Sequence, residues 1–281
     1  MLKRTSLLAG VVLAALPTVK EPLLNREKVP VPAPDEIVRG LLSADISQRM
    51  AALKAMGVSE ELQRGPRGPG WVDMTKVSDV RLVSTNLDED PELEAIVITT
   101  QQSYASAGIF DEQQGQWFRI ALLGCWCKYE NDPLSRFLEL AHLVDQGRED
   151  LIVRDSLGGT GIYWREAVVY RMRGGELHEV LRIREENREC NTQRPGKPAT
   201  YCEDTRNFMS FPHEYVPRRI VVSTVKGKIP IPSAINETHP PLGDILIQPA
   251  SVGCKGYAWN ESGFQFVEDK STTSLYCPGA K

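Results

Sequence analysis

Beyond Trp71 apolar residues recur at every second position in short runs separated by Gly, Asn and Asp, the pattern of half-buried β-strands joined by tight turns. Upstream the period changes. Ile37, Leu41, Leu42, Ile46, Met50, Leu53 and Met56 return at helical spacing, with Asp35 placed as an N-cap and Gly57 as the stop. Glu36, Arg39, Gln48, Arg49 and Lys54 fill the opposite side. The segment is therefore expected to form one amphipathic helix, or two short ones broken near Ser43, on the surface with one apolar stripe docked. The Gly- and Pro-rich run 64–70 then ends regular structure.

Three stretches of the β region share one order: acidic turn, aliphatic strand, polar loop, hairpin. In the first, Asn86, Asp88, Asp90 and Glu94 precede the strand Ala95 to Ile98, and a hairpin runs from Ile109 to Ile120. In the second, the turn Val144 to Asp150 precedes Leu151 to Val153, the loop Ser156 to Gly161 and a hairpin turning at Gly174-Gly175. In the third, Gly243-Asp244 precedes Ile245 to Ile247, a loop closed by Gly253-Cys254 and a hairpin turning at Gly263. Ile96 and Ile152 are 56 positions apart but Ile152 and Leu246 are 94, so the extra length is expected to map to loops.

The first acidic turn offers side-chain oxygens at alternate positions, the donor type that calcium takes six to eight at a time. Exposed turns also favour Asp and Asn without any ion. With its following strand, the turn resembles the aspartate-rich loop of integrin-alpha-type FG-GAP or VCBS repeats, which form β-propeller blades and commonly bind calcium. The resemblance implies Asn86, Asp88, Asp90 and Glu94 as ligands, with Pro91 standing where the family has glycine. In the second turn Gly147 and Asp150 match, but His142, Val144 and Gln146 replace the oxygen donors, so no ion is expected there. Three units are fewer than such propellers usually contain. The expected fold is mainly β: antiparallel sheets from about three blade-like units, preceded by a short helical segment and twisted into a smaller assembly rather than a closed propeller.

Composition narrows the setting. The 281 residues are 41% hydrophobic and 25% charged with a formal net charge of −4, which suits a globular chain and gives no electrostatic footprint for nucleic acid. Lys3 and Arg4 followed by the apolar stretch Leu7 to Leu16 read as a signal peptide over 1–18, with a Pro-rich spacer to residue 34. Membrane contact is expected only through that leader if it stays uncleaved. Six cysteines fit an oxidising, secreted or periplasmic destination, with Cys190 paired to Cys202 and Cys254 to Cys277. The pairing of Cys125 and Cys127 is left open.

No constellation identifies a catalytic residue. Ser156-Leu157-Gly158-Gly159-Thr160-Gly161 lacks the lysine of a phosphate-binding loop and reads as a flexible connection. Tyr163 and Trp164 beside Gly158 and Gly159 offer a platform for a sugar or a peptide. The expected function is non-catalytic recognition of a protein or carbohydrate outside the cytoplasm, stabilised by calcium, with binding on the loops 101–108, 154–164 and 248–256. The competing reading is a secreted hydrolase that brings His178 or His142 to Ser156 or Asp155.

Overall fold

The helical pattern resolves into two helices, α1 (Pro34–Leu41) and α2 (Ile46–Met56). Pro34 opens α1, where its fixed φ suits the first turn and its missing N–H costs nothing. Asp35 lies inside that turn and pairs with Arg39 at 3.1 Å. The capping aspartate is instead Asp45, which accepts from Ser47 N at 2.8 Å, and Gly57 closes α2 at φ +97° as expected. The computed structural model describes residues 29–58, 77–101, 104–125, 137–159, 162–190, 201–212, 217–230, 248–277 and 279. The expected leader, the run 64–70, Cys127 and the third acidic turn with its strand, 243–247, lie outside them. No helix among the described residues is long and apolar enough to cross a membrane.

The period-two region forms strands that pair in chain order, always antiparallel. β1 (Asp79–Thr85), β2 (Glu94–Gln101), β3 (Tyr104–Gln113) and β4 (Gln116–Cys125) make a four-stranded sheet. β5 (Leu138–Ala141), β6 (Asp150–Gly159), β7 (Ile162–Arg173), β8 (Glu176–Cys190), β9 (Tyr201–Ser210), β10 (Ile220–Pro230), β11 (Gln248–Asn260) and β12 (Gln265–Glu268) make an eight-stranded one, and helix α3 (Lys270–Tyr276) follows. Neither sheet closes into a barrel or propeller among the described residues. The β3–β4 and β7–β8 turns place Gln114, Gly115, Gly174 and Gly175 at positive φ, the geometry of two-residue hairpins whose twist matches the strands.

Alternation along β2 sorts its residues onto two faces. Ala95 and Val97 join Phe110, Ile37, Leu41, Leu53 and Met56 in a core beneath the helices. Ile96 and Ile98 join Ala107 and Ile109 against Leu151, Val153, Val168 and Tyr170, the near face of β6–β7. The far face of β6–β8, with Ile152, Val169, Leu181 and Ile183, is covered by Ile220, Val222 and Phe266. The meanders β1–β4 and β5–β8 are thus stacked in the same sense, and β9–β12 fold back as a third layer. The bend is possible because β8 pairs with β9 only over Glu186–Cys190 before the sheet turns over, leaving the start of β8 to meet β12.

Cys190–Cys202 and Cys254–Cys277 are disulfides, as their spacing predicts. The first joins residues directly opposite at the bend, and the second ties β11 to the end of α3. Converting Cys190 and Cys202 together to serine is expected to cost about 3 kcal/mol of unfolding free energy, the entropy of a loop this short, read by urea denaturation. An unchanged midpoint would mean that the bend holds without its crosslink.

Three expected loops are strand instead. Residues 104–108 belong to β3, 248–256 lie wholly in β11, and 154–164 fall almost entirely in β6 and β7, where Gly158 pairs with Tyr163 and Gly159 with Ile162. The added length before the third unit likewise contains β9 and β10 rather than loop alone.

Candidate metal centre

The acidic turn joins β1 to β2 and is organised by its own side chains. Asp88 Oδ1 accepts from Asp90 N at 2.8 Å, Asp90 Oδ1 from Glu92 N at 3.0 Å, and Asn86 Nδ2 donates to Asp90 O at 3.2 Å. Glu94 opens β2 and is 0% exposed, one oxygen accepting from Leu87 N. Ligand oxygens of Asp88, Asp90 and Glu94 lie within 4.8 Å of one another. Oxygens on opposite sides of one calcium ion stand about 5 Å apart, since each sits about 2.4 Å from it.

The electrostatics of this group are lopsided. Glu94 Oε1 and Asn86 Oδ1 are buried without a hydrogen-bond partner. Asp111, one rung from Phe110 on β3, faces Glu94 across the β2–β3 pair and is also buried, with Oδ2 taking a bond from Gln113 and Oδ1 taking none. Among the described residues no lysine, arginine or histidine forms an ion pair with Asp88, Asp90, Glu94 or Asp111. Burial pushes Glu94 up to about 7, and the charges of Asp88 and Asp111 add to the rise against the Leu87 hydrogen bond. Burial raises Asp88 as well; the bond from Asp90 N opposes this, while Asp90, Asp111 and Glu89 reinforce it. An unpaired buried carboxylate costs several kcal/mol, so this arrangement favours either a proton or a cation.

Pro91 gives up the N–H that Gly147 donates to Asp145 in the second turn but meets no demand there for positive φ. Gly147, at the matching place in the second turn, does not use positive φ, so the position makes no demand that only glycine meets. The turn also docks on the next meander. Glu149 N donates to Asn86 O at 2.8 Å, Thr85 Oγ1 donates to Glu149, and Arg148 reaches Glu89 at 2.6 Å.

The remaining sequence candidates are dispersed. Tyr163 and Trp164 are neighbours on β7 and point to opposite faces, so they do not form one platform. Tyr163 is half-buried, while Trp164 carries the Arg184 guanidinium 4.6 Å from its ring centroid. His178 stacks edge-on against Phe264 at 5.5 Å, and His142 Nδ1 meets Arg148 O at 3.0 Å. Ser156 shares a rung with Arg165 and His178 one with Arg171, six residues along β7 and about 20 Å apart. The residues that a hydrolase reading needs are not brought together. Sequence reasoning missed Asp111, which counting outward from the β2–β3 connection would have placed opposite Glu94.

No protein-family model, curated protein or solved structure matches the chain.

Proposed function

We propose that this chain is an extracytoplasmic, non-catalytic recognition module for a protein or carbohydrate, whose stacked β meanders are stabilised by calcium at the turn 86–94. The observation that carries the calcium reading is Glu94: fully buried, one oxygen unpartnered, facing a second buried acid with no protein cation at hand among the described residues. Asp88, Asp90 and Glu94 would hold the ion, Asn86 Oδ1 adds a neutral donor, and Asp111 adds charge beside it. The likeness of this turn to FG-GAP or VCBS loops supports the same choice of metal. Two disulfides support an oxidising compartment, and a scaffold of rigid strands with Trp164 on one face suits display of a binding surface.

Thermal unfolding in EGTA and then in calcium tests the reading. Calcium at a hundred times its dissociation constant is expected to add about 2.7 kcal/mol of stability and a corresponding rise in melting temperature. Calorimetry should count one ion, and Glu94→Gln should remove most of the shift. No heat and no shift at millimolar calcium would end the metal assignment.

A further inference from the structure

The turns 86–94 and 142–150 are one structure made twice. In each, the N–H of a leucine, Leu87 or Leu143, donates to the carboxylate seven residues later, Glu94 or Asp150. That carboxylate opens the second strand of its meander and is fully buried in both cases. The register one rung beyond Ala95↔Phe110 sets Asp111 opposite Glu94, and the register one rung beyond Leu151↔Tyr170 sets Arg171 opposite Asp150. The facing residue is therefore an acid in the first meander and a base in the second.

Arg171 fills its turn. It is 1% exposed, its Nη1 is 2.8 Å from Asp150 Oδ1, and its Nη2 binds Asp145, while the ring of Trp259 lies 5.9 Å from the guanidinium carbon. Asp150 Oδ2 takes the N–H groups of Leu143 and Val144. No corresponding positive group stands before Glu94 among the described residues.

We propose that Arg171 is a resident cation: the second meander carries on its own side chain the positive charge that the first must take from solution. For the first turn this rests on the calcium reading above. It makes contact between the first two meanders, where Glu94 faces, ion-dependent, whereas contact between the second meander and β9–β12, where Asp150 faces, needs no ion.

Exchanging the facing residues tests the proposal. In EGTA, Asp111→Arg is expected to unfold several degrees above the wild-type chain and to be indifferent to calcium. Arg171→Asp, prepared in calcium, is expected to unfold several degrees below it in EGTA and to bind one calcium ion more than wild type. Stability of Arg171→Asp equal to wild type in EGTA would overturn the idea, as would Asp111→Arg that is weaker in EGTA or still answers to calcium. A wild-type chain blind to calcium, with Asp111→Arg nonetheless stabilised, would remove the ion from the first turn and leave the role of Arg171 standing. Because a guanidinium is bulky, Asp111→Lys and Asp111→Asn are made alongside. Folding of the asparagine variant but of neither cationic one would also overturn the proposal.

Discussion

Arg171→Met is expected to lower the unfolding free energy by about 3 to 5 kcal/mol, the usual loss when one partner of a buried ion pair is removed and the other is left behind. Methionine approximates the length of the arginine stem, so the effect reports charge more than volume. What remains is Asp150, fully buried, with two backbone donors and no counter-charge, beside Asp145, which keeps Arg148 at 3.0 Å. Burial already raises Asp150 with Arg171 present, and the arginine, by charge and by hydrogen bond, is what holds that rise in check. Asp145 lies below the ordinary carboxylate range; burial raises it, but bonds from Arg171 and Arg148 outweigh that effect. Urea denaturation measures the loss, and adding Asp150→Asn should return part of it by removing the stranded charge. A loss under 1 kcal/mol would show that the pair is hydrated in solution.

Phe110→Ala should cost a comparable 3 to 5 kcal/mol by a different mechanism, the cavity left by a fully buried ring. The ring lies over Gly108, where an added Cβ would come within 2.8 Å of Phe110 Cζ and 3.4 Å of Met56 Cγ. Gly108 is thus the vacancy in β3 that admits the ring and lets α2 approach the sheet. Phe110→Leu, which keeps most of the volume, is expected to lose far less. If alanine costs under 1 kcal/mol by chemical denaturation, the helix pair does not share a core with β2 and β3.

The fold was legible where each strand has one buried face and a tight turn after it. Ala95 to Ile98, Leu151 to Val153 and the hairpin at Gly174-Gly175 carry their period and punctuation locally. The strands β9 and β10 were not: Glu203, Asp204, Arg206 and Asn207 in β9, and Lys226 and Lys228 in β10, break the apolar rhythm because both strands lie at the bend, where polar side chains pair along β9 and across to β10. Gly158 and Gly159 suggested a loop, yet a glycine pair can extend a strand when its neighbours supply the register. The acidic turn was visible as spacing, and its partner Asp111 was not, because that contact is fixed by strand register rather than proximity in sequence. The same holds for Arg171, which sequence placed on a hairpin and structure places against Asp150.

Every strand from β1 to β12 pairs with the strand made just before or just after it, apart from the break between the two sheets. Such connectivity keeps loop-closure entropy small at each step. A chain delivered from its N-terminus can zip up hairpin by hairpin without waiting for distant sequence. The return of β12 to the start of β8 reaches back over β9–β11, which puts that locking step late in assembly and leaves the third layer as the part to open first under strain.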